Sequence, residues 1–157
     1  MIYLDNSATT RISDEALRVY EEVSRGHFGN PSSLHAAGFD AEKILRDAKK
    51  TVLDTVGGKD CTVIFTASGS EGNNLAIFGR ALAKERFRNG GKILTTDGEH
   101  ASVDAPLDRL RSLGFRVVKI PTAGGVPDPD ALRRELTSDV ILVTMMMVNN
   151  ETGALYD

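Results

Sequence analysis

Apolar and polar positions alternate along this chain in two rhythms. Ala41, Ile44, Leu45, Ala48, Val52, Leu53 and Val56 recur at helical spacing. They predict one apolar stripe of a long helix starting near residue 34 and stopped by Gly57-Gly58. Ala16, Val19, Tyr20 and Val23 predict a shorter helix. Ser13 is its expected N-cap, and Asp14 and Glu15 sit in its first turn, where carboxylates meet the positive end of the helix dipole. Ser32 or Ser33 is expected to cap the longer helix. Residues 71–88 and 103–113 read as further helices, the second ending at Gly114. Asp128-Pro129 opens a last one, with the proline where a missing N–H costs nothing.

The second rhythm is that of strands. Residues 61–66 (CTVIFT), 92–96 (KILTT), 115–120 (FRVVKI) and 140–148 (VILVTMMMV) are β-branched or apolar runs and predict four strands. The nearly continuous apolar run of the last suits a parallel strand covered on both faces. Strands alternating with helices define a doubly wound α/β layer. In that layer Cys61 is expected to be an inert core thiol, and Met145, Met146 and Met147 to be sheet core. The chain stops at Asp157, about nine residues after its last strand and without a closing helix. Part of a larger fold is therefore expected.

Composition narrows the classes. The 157 residues are 41% hydrophobic and 26% charged, the balance of a globular chain. A net charge of −3 leaves no basic footprint for nucleic acid. No run approaches the roughly 20 apolar residues of a membrane span, and the N-terminus lacks the basic and apolar regions of a signal peptide. One cysteine cannot form an intrachain disulfide or a cysteine-cluster metal site, so no metal is expected and a cytoplasmic location is.

Three groups could carry chemistry. The turn Thr66-Ala67-Ser68-Gly69-Ser70-Glu71-Gly72 precedes a helix, where small residues and unpaired N–H groups can hold a phosphate. Helix capping alone would use the same residues. Glu99-His100 follows the strand at 92–96, and the imidazole could stack on a ring or move a proton. A plain loop histidine is the simpler alternative. Asn149-Asn150-Glu151-Thr152-Gly153 follows the strand at 140–148, with two amides able to orient a ligand or simply to make a turn. All three lie at C-terminal ends of predicted parallel strands, the edge where open α/β sheets bind ligands. Together they suit a phosphorylated, planar, heteroaromatic cofactor.

With these residues in hand, the chain resembles a known family. YLDNSATT, GNPSSLH, VIFTASGSEGNNLAI, the Glu-His pair at 99–100 and VNNETG are similar, in order and spacing, to the cysteine desulfurases of the nitrogen-fixation and iron–sulfur-assembly type. These are class V, fold-type I enzymes that use pyridoxal 5′-phosphate. The resemblance implies a three-layer α/β sandwich with a mostly parallel sheet. Residues 1–15 would border the active site, and 16–157 would form an incomplete pyridoxal-phosphate-binding large domain. It implies that Gly69 and Ser70 hold the cofactor phosphate. His100 would stack on the pyridine ring and help in proton transfer, and Asn150 would bond the ring's phenolic oxygen. Asn6, Ser7, Ala8 and Asn30 would border the substrate opening. One departure is Ser-Gly-Ser-Glu-Gly at 68–72, where relatives often carry Gly-Ala-Thr-Glu-Ser.

The implied activity is conversion of L-cysteine to L-alanine and a protein-bound persulfide. The sulfur would serve an iron–sulfur scaffold or tRNA thiolation, in a homodimer. The coenzyme-bearing lysine and the catalytic cysteine of the family match no residue here. The chain is therefore expected to be an N-terminal fragment, a truncated product or half of a split enzyme, inactive alone. The alternatives are a non-catalytic module, or another class V enzyme such as an aminotransferase or selenocysteine lyase.

Overall fold

The computed structural model describes residues 2–83 and 90–156. The predicted helix over 71–88 therefore runs partly outside the described residues. The chain forms two compact units, residues 1–64 and 65–157.

The first unit is built on two helices, α1 (Asp14–Gly26) and α2 (Ala36–Val56). Ser13 caps α1 as expected, its Oγ accepting from the Ala16 N–H at 3.1 Å. The cap of α2 is a correction. His35 holds that position, and its Nδ1 accepts from the Gly38 N–H at 3.3 Å. Ser33 is instead spent in the preceding turn, where its N–H donates to Asn30 O and the Ser32 N–H donates to Asn30 Oδ1. A stripe of apolar residues requires a partner to bury it, and spacing alone does not supply one: Tyr20, Phe39 and Val56 are exposed. At Gly57 the φ of +67° ends α2 in the left-handed region that glycine enters freely.

Gly38 presses α2 onto the turn before it. A Cβ there would lie 2.3 Å from Ser33 O and 2.8 Å from Asn30 O. Backbone oxygens cannot move aside as a side-chain tip can. Gly38→Ala is expected to displace the turn and destabilise the unit by about 2 kcal/mol. Amide exchange checks it, with protection lost at the Ser33 N–H; unchanged protection would contradict it.

The second unit holds a parallel sheet in the order β2-β1-β5, from β1 (Lys92–Thr96), β2 (Arg116–Ile120) and β5 (Val140–Val143). Helices α3 (Gly69–Ala81) and α4 (Ala101–Ser112) cover one face. Their Ile77, Ala81, Val103, Leu107 and Leu110 enclose Ile93 and Phe115 in the core. Strand side chains alternate between faces, so Lys92 and Leu94 point the other way. There Lys92 reaches Glu135 at the end of α5 (Pro129–Glu135). Asp128 caps α5 as expected, and the N–H groups of Ala131 and Asp130 hold its carboxyl below the usual carboxylate range. The α/β layer with a parallel sheet, expected from the strand–helix alternation, is present. A short antiparallel pair, β3 (Thr122–Ala123) and β4 (Val126–Pro127), turns through Gly124 and Gly125, both at positive φ. Two successive positive φ values favour glycine there.

Three expectations are corrected. Residues 61–66 form no regular element and join no sheet among the described residues, and Ile64 and Phe65 stay exposed. A β-branched composition favours extension, yet a strand also needs a ladder partner. Cys61 is accordingly exposed rather than core. The strand expected over 140–148 ends at Val143, and Met147 is 76% exposed. The Thr144 N–H still donates to Leu94 O of β1, and beyond it the backbone turns to other partners: the Met146 N–H donates to the Glu99 carboxylate, and Met147 O accepts from the Tyr156 N–H.

Candidate functional site

The order β2-β1-β5 contains a reversal. From β1 the chain crosses through α4 to β2 on one side, then returns through α5 to β5 on the other side of β1. In open parallel sheets such a reversal parts the loops at the C-terminal ends of two neighbouring strands and opens a crevice. Here those loops are 97–100 after β1 and 144–153 after β5.

A cleft of about 440 Å³ lies there, lined among others by Gly98, His100, Thr122, Asn149, Asn150 and Tyr156. Its two walls are tied together. Asn149 is buried. Its Nδ2 donates to Gly98 O at 3.0 Å, while its Oδ1 accepts from the N–H groups of Glu151 and Thr152, each at 2.9 Å. Glu99 Oε1 accepts from Thr96 Oγ1 at 2.7 Å and from the Met146 N–H at 3.0 Å. Of the two consecutive asparagines, then, one is consumed by the scaffold. The other, Asn150, is exposed at the cleft. The Tyr156 hydroxyl is buried without a partner among the described residues. A Cβ on Gly98 would sit 3.1 Å from it, so the glycine leaves room for the phenol.

His100 caps α4. Its Nδ1 accepts from the Ser102 N–H at 3.1 Å and lies 2.8 Å from Ser102 Oγ. Gly69 and Ser70 do not line the cleft. They open α3, and the reason is the one that removed the strand at 61–66: their turn follows a segment outside the sheet. They connect to the cleft through Asn73, one turn along α3, whose Nδ2 donates to Ser102 Oγ at 2.9 Å. Asn6, Ser7, Ala8 and Asn30 belong to the first unit. There Ala8 closes a turn on Asp5, and Asn30 Oδ1 accepts from the Ser32 N–H.

The start of α3 is a set of unspent donors. Ser68 Oγ accepts from the Glu71 N–H, and the Glu71 carboxylate turns back to accept from the Ala67 N–H at 2.6 Å. Among the described residues this leaves the Gly69 and Ser70 amides and the Ser70 hydroxyl without partners. A Cβ on Gly69 would meet nothing within 4 Å. Open amides at the positive end of a helix dipole suit a phosphate. The Tyr156 hydroxyl, orphaned at the cleft, and the free side chain of Asn150 suit polar substituents on a planar ring. The residues present therefore fit a phosphorylated heteroaromatic group.

Sequence reasoning overlooked the hairpin of β3 and β4, which Gly124-Gly125 signalled. The turn alternative for the asparagine pair holds at Asn149, whose side-chain oxygen serves backbone amides two and three residues on. Nothing local pointed to Tyr156.

A parallel sheet with a crevice at its crossover reversal is the arrangement of an open α/β domain, the class in which such crevices take ligands. Comparison with known proteins is more specific. The model of the Aminotransferase class-V family matches residues 2–157, and the chain belongs to that family. A "NifS/IcsS protein homolog" of Lactobacillus delbrueckii subsp. bulgaricus is 44% identical over 156 residues, covering 99% of this chain and 40% of the relative. "Cysteine desulfurase IscS" of Dictyoglomus turgidum is 36% identical over 155 residues, covering 98% and 39%. Among solved structures, a "NIFS-LIKE PROTEIN" superposes with a TM-score of 0.93 at 31% identity, covering 99% of this chain and 42% of that one. "SspA in complex with cysteine" gives 0.85 at 30%, covering 98% and 44%. The chain thus spans about 40% of the length of the curated relatives it matches. No helix of the described residues is long and apolar enough to cross a membrane.

Proposed function

We propose that this chain forms the coenzyme-phosphate and ring-facing part of a cysteine desulfurase that uses pyridoxal 5′-phosphate. The observation that carries this reading is the pairing of unspent donors at the start of α3 with His100 and Asn150 at the crossover reversal. The names of its relatives and the cysteine bound in one structural neighbour support the substrate class.

Gly69 and Ser70 bind the phosphate through two amides and a hydroxyl. His100 packs against the ring and holds a proton near it, and Asn150 orients the ring through its phenolic oxygen. Asn6, Ser7, Ala8 and Asn30 border the substrate opening. When bound, pyridoxal phosphate supplies the electron sink for cleaving the carbon–sulfur bond of L-cysteine. The products are L-alanine and sulfur carried as a persulfide on a protein cysteine. That thiol and the coenzyme-bearing lysine are assigned to the part of the relatives this chain does not span. An iron–sulfur scaffold or a tRNA-thiolation protein receives the sulfur, and the complete enzyme is a cytoplasmic homodimer.

Titration of the purified chain with pyridoxal phosphate, followed by absorbance, tests the binding. Saturable binding is expected, competed by inorganic phosphate and not fixed by borohydride. Ser70→Ala is expected to weaken it about tenfold, the loss of one charge-assisted hydrogen bond. Equal affinity in parent and variant, with no competition by phosphate, would contradict the assignment. Alanine release from L-cysteine by protein purified from its source cells tests the reaction. Coenzyme binding without alanine release would favour another class V chemistry.

A further inference from the structure

The helix that offers the phosphate donors also reaches His100, through two side chains given no role so far. Asn73 Nδ2 donates to Ser102 Oγ at 2.9 Å, and Ser102 Oγ lies 2.8 Å from His100 Nδ1. The Ser102 N–H, which can only donate, lies 3.1 Å from the same nitrogen. Nδ1 is therefore an acceptor. An amide NH₂ also only donates, so Asn73 occupies a lone pair of Ser102 Oγ and leaves the hydroxyl proton free to point at Nδ1.

From this chain of donors we infer that Asn73 and Ser102 are positioning residues that set the tautomer of His100, placing the proton of the neutral ring on Nε2. That nitrogen has no partner among the described residues, and the ring lines the cleft. His100 accordingly meets a ligand as a hydrogen-bond donor. Asn73 lies one turn after Gly69 and Ser70 on α3, whereas Ser102 and His100 belong to α4. The packing of α3 against α4 thus fixes the anion donors and the imidazole proton in one frame. The functional meaning of this frame rests on the coenzyme-binding reading above; the tautomer itself does not.

The isosteric variant Asn73→Asp reverses the chain. A carboxylate only accepts, so it draws the Ser102 hydroxyl proton to itself and offers Nδ1 an acceptor oxygen instead of a donor. Long-range ¹H–¹⁵N correlation spectra of the labelled chain, recorded without coenzyme, read the tautomer directly. His100 is assigned by its absence in His100→Gln. His35, whose Nδ1 accepts from the Gly38 N–H, serves as an internal control for folding.

The expected result is a single Nε2–H pattern at His100 in the parent. In Asn73→Asp and in Ser102→Ala an Nδ1–H population appears beside it, because the backbone N–H of residue 102 is then the one remaining donor to Nδ1 among the described residues, while His35 is unchanged. Ser102→Thr, which keeps the hydroxyl, is expected to retain the parent pattern. An Nδ1–H ring in the parent would overturn the inference, and so would a parent-like pattern in both Asn73→Asp and Ser102→Ala. The latter would leave His100 as a helix cap held by the Ser102 N–H alone. Failure of pyridoxal phosphate to bind would sink the coenzyme reading and leave this tautomer result standing.

Discussion

Asn149→Ala is expected to unmake the cleft, costing about 3 kcal/mol of stability and weakening pyridoxal phosphate binding about tenfold. Three hydrogen bonds converge on this one buried amide, from the Glu151 and Thr152 N–H groups and to Gly98 O. Each contributes about 1 kcal/mol net, and truncation leaves their partners unsatisfied. The bond to Gly98 spans the crossover reversal, so its loss loosens the loop carrying His100 from the turn carrying Asn150 and leaves the Glu99 carboxylate on the Met146 N–H to hold the two walls. Asn149→Asp separates the two effects. It keeps the acceptor that shapes the turn but sets a carboxylate oxygen against Gly98 O in a buried position, so a loss of about 2 kcal/mol is expected, with the affinity loss largely retained. Urea unfolding and coenzyme titration of both variants check this. An alanine variant as stable as the parent would show that the turn holds without its side chain.

Lys92→Ala is the second large effect, about 3 kcal/mol from truncating a fully buried stem. Lys92 is 2% exposed, and its ammonium lies 2.7 Å from Glu135 Oε2 and 3.0 Å from Thr137 Oγ1. The pair ties the end of α5 to the start of β1, and Arg116 approaches the same carboxylate at 3.7 Å. Lys92→Met fills the same space without a charge, so it is expected to fall within about 1.5 kcal/mol of the parent. Glu135→Ala strands the buried ammonium and is expected to lower the urea midpoint; adding Lys92→Met recovers most of that loss. The hydrogen bond from Lys92 holds the Glu135 carboxyl below its usual range. Its contribution is therefore complete above the ordinary carboxylate pKa and disappears as pH falls through the lowered folded value. The gap in midpoint between parent and Glu135→Ala should close over that acidic window. A gap independent of pH would mean that the ion pair contributes nothing.

Which parts of this architecture could be read in the sequence follows from the range of the forces involved. Strand 92–96 was legible to the residue, because its apolar run begins just after Gly90-Gly91 and is buried throughout. Ser13 and Asp128 were legible as caps, because a side-chain oxygen serves amides two or three residues away. Family motifs picked out Ser70, His100 and Asn150, and two of these, His100 and Asn150, share the cleft. The cap at His35 was missed because an imidazole is a less usual acceptor there than the serines beside it. Residues 61–66 had every local mark of a strand and no partner among the described residues. Residue type and spacing did not distinguish Asn149 from Asn150; the family motif chose Asn150, and burial shows that Asn149 is spent on the scaffold.

By itself the sequence determined most of the helices, the caps at Ser13 and Asp128, the strand at 92–96 and the family. Each of these depends on hydrogen bonds and steric preferences spanning a few residues, or on motifs kept in order. Only the tertiary structure decided the strand order β2-β1-β5, the reversal that opens the cleft, the spending of Asn149 on its walls, and the chain from Asn73 to His100. These join residues 29, 51 and more positions apart, a distance over which no local preference acts and only packing chooses partners.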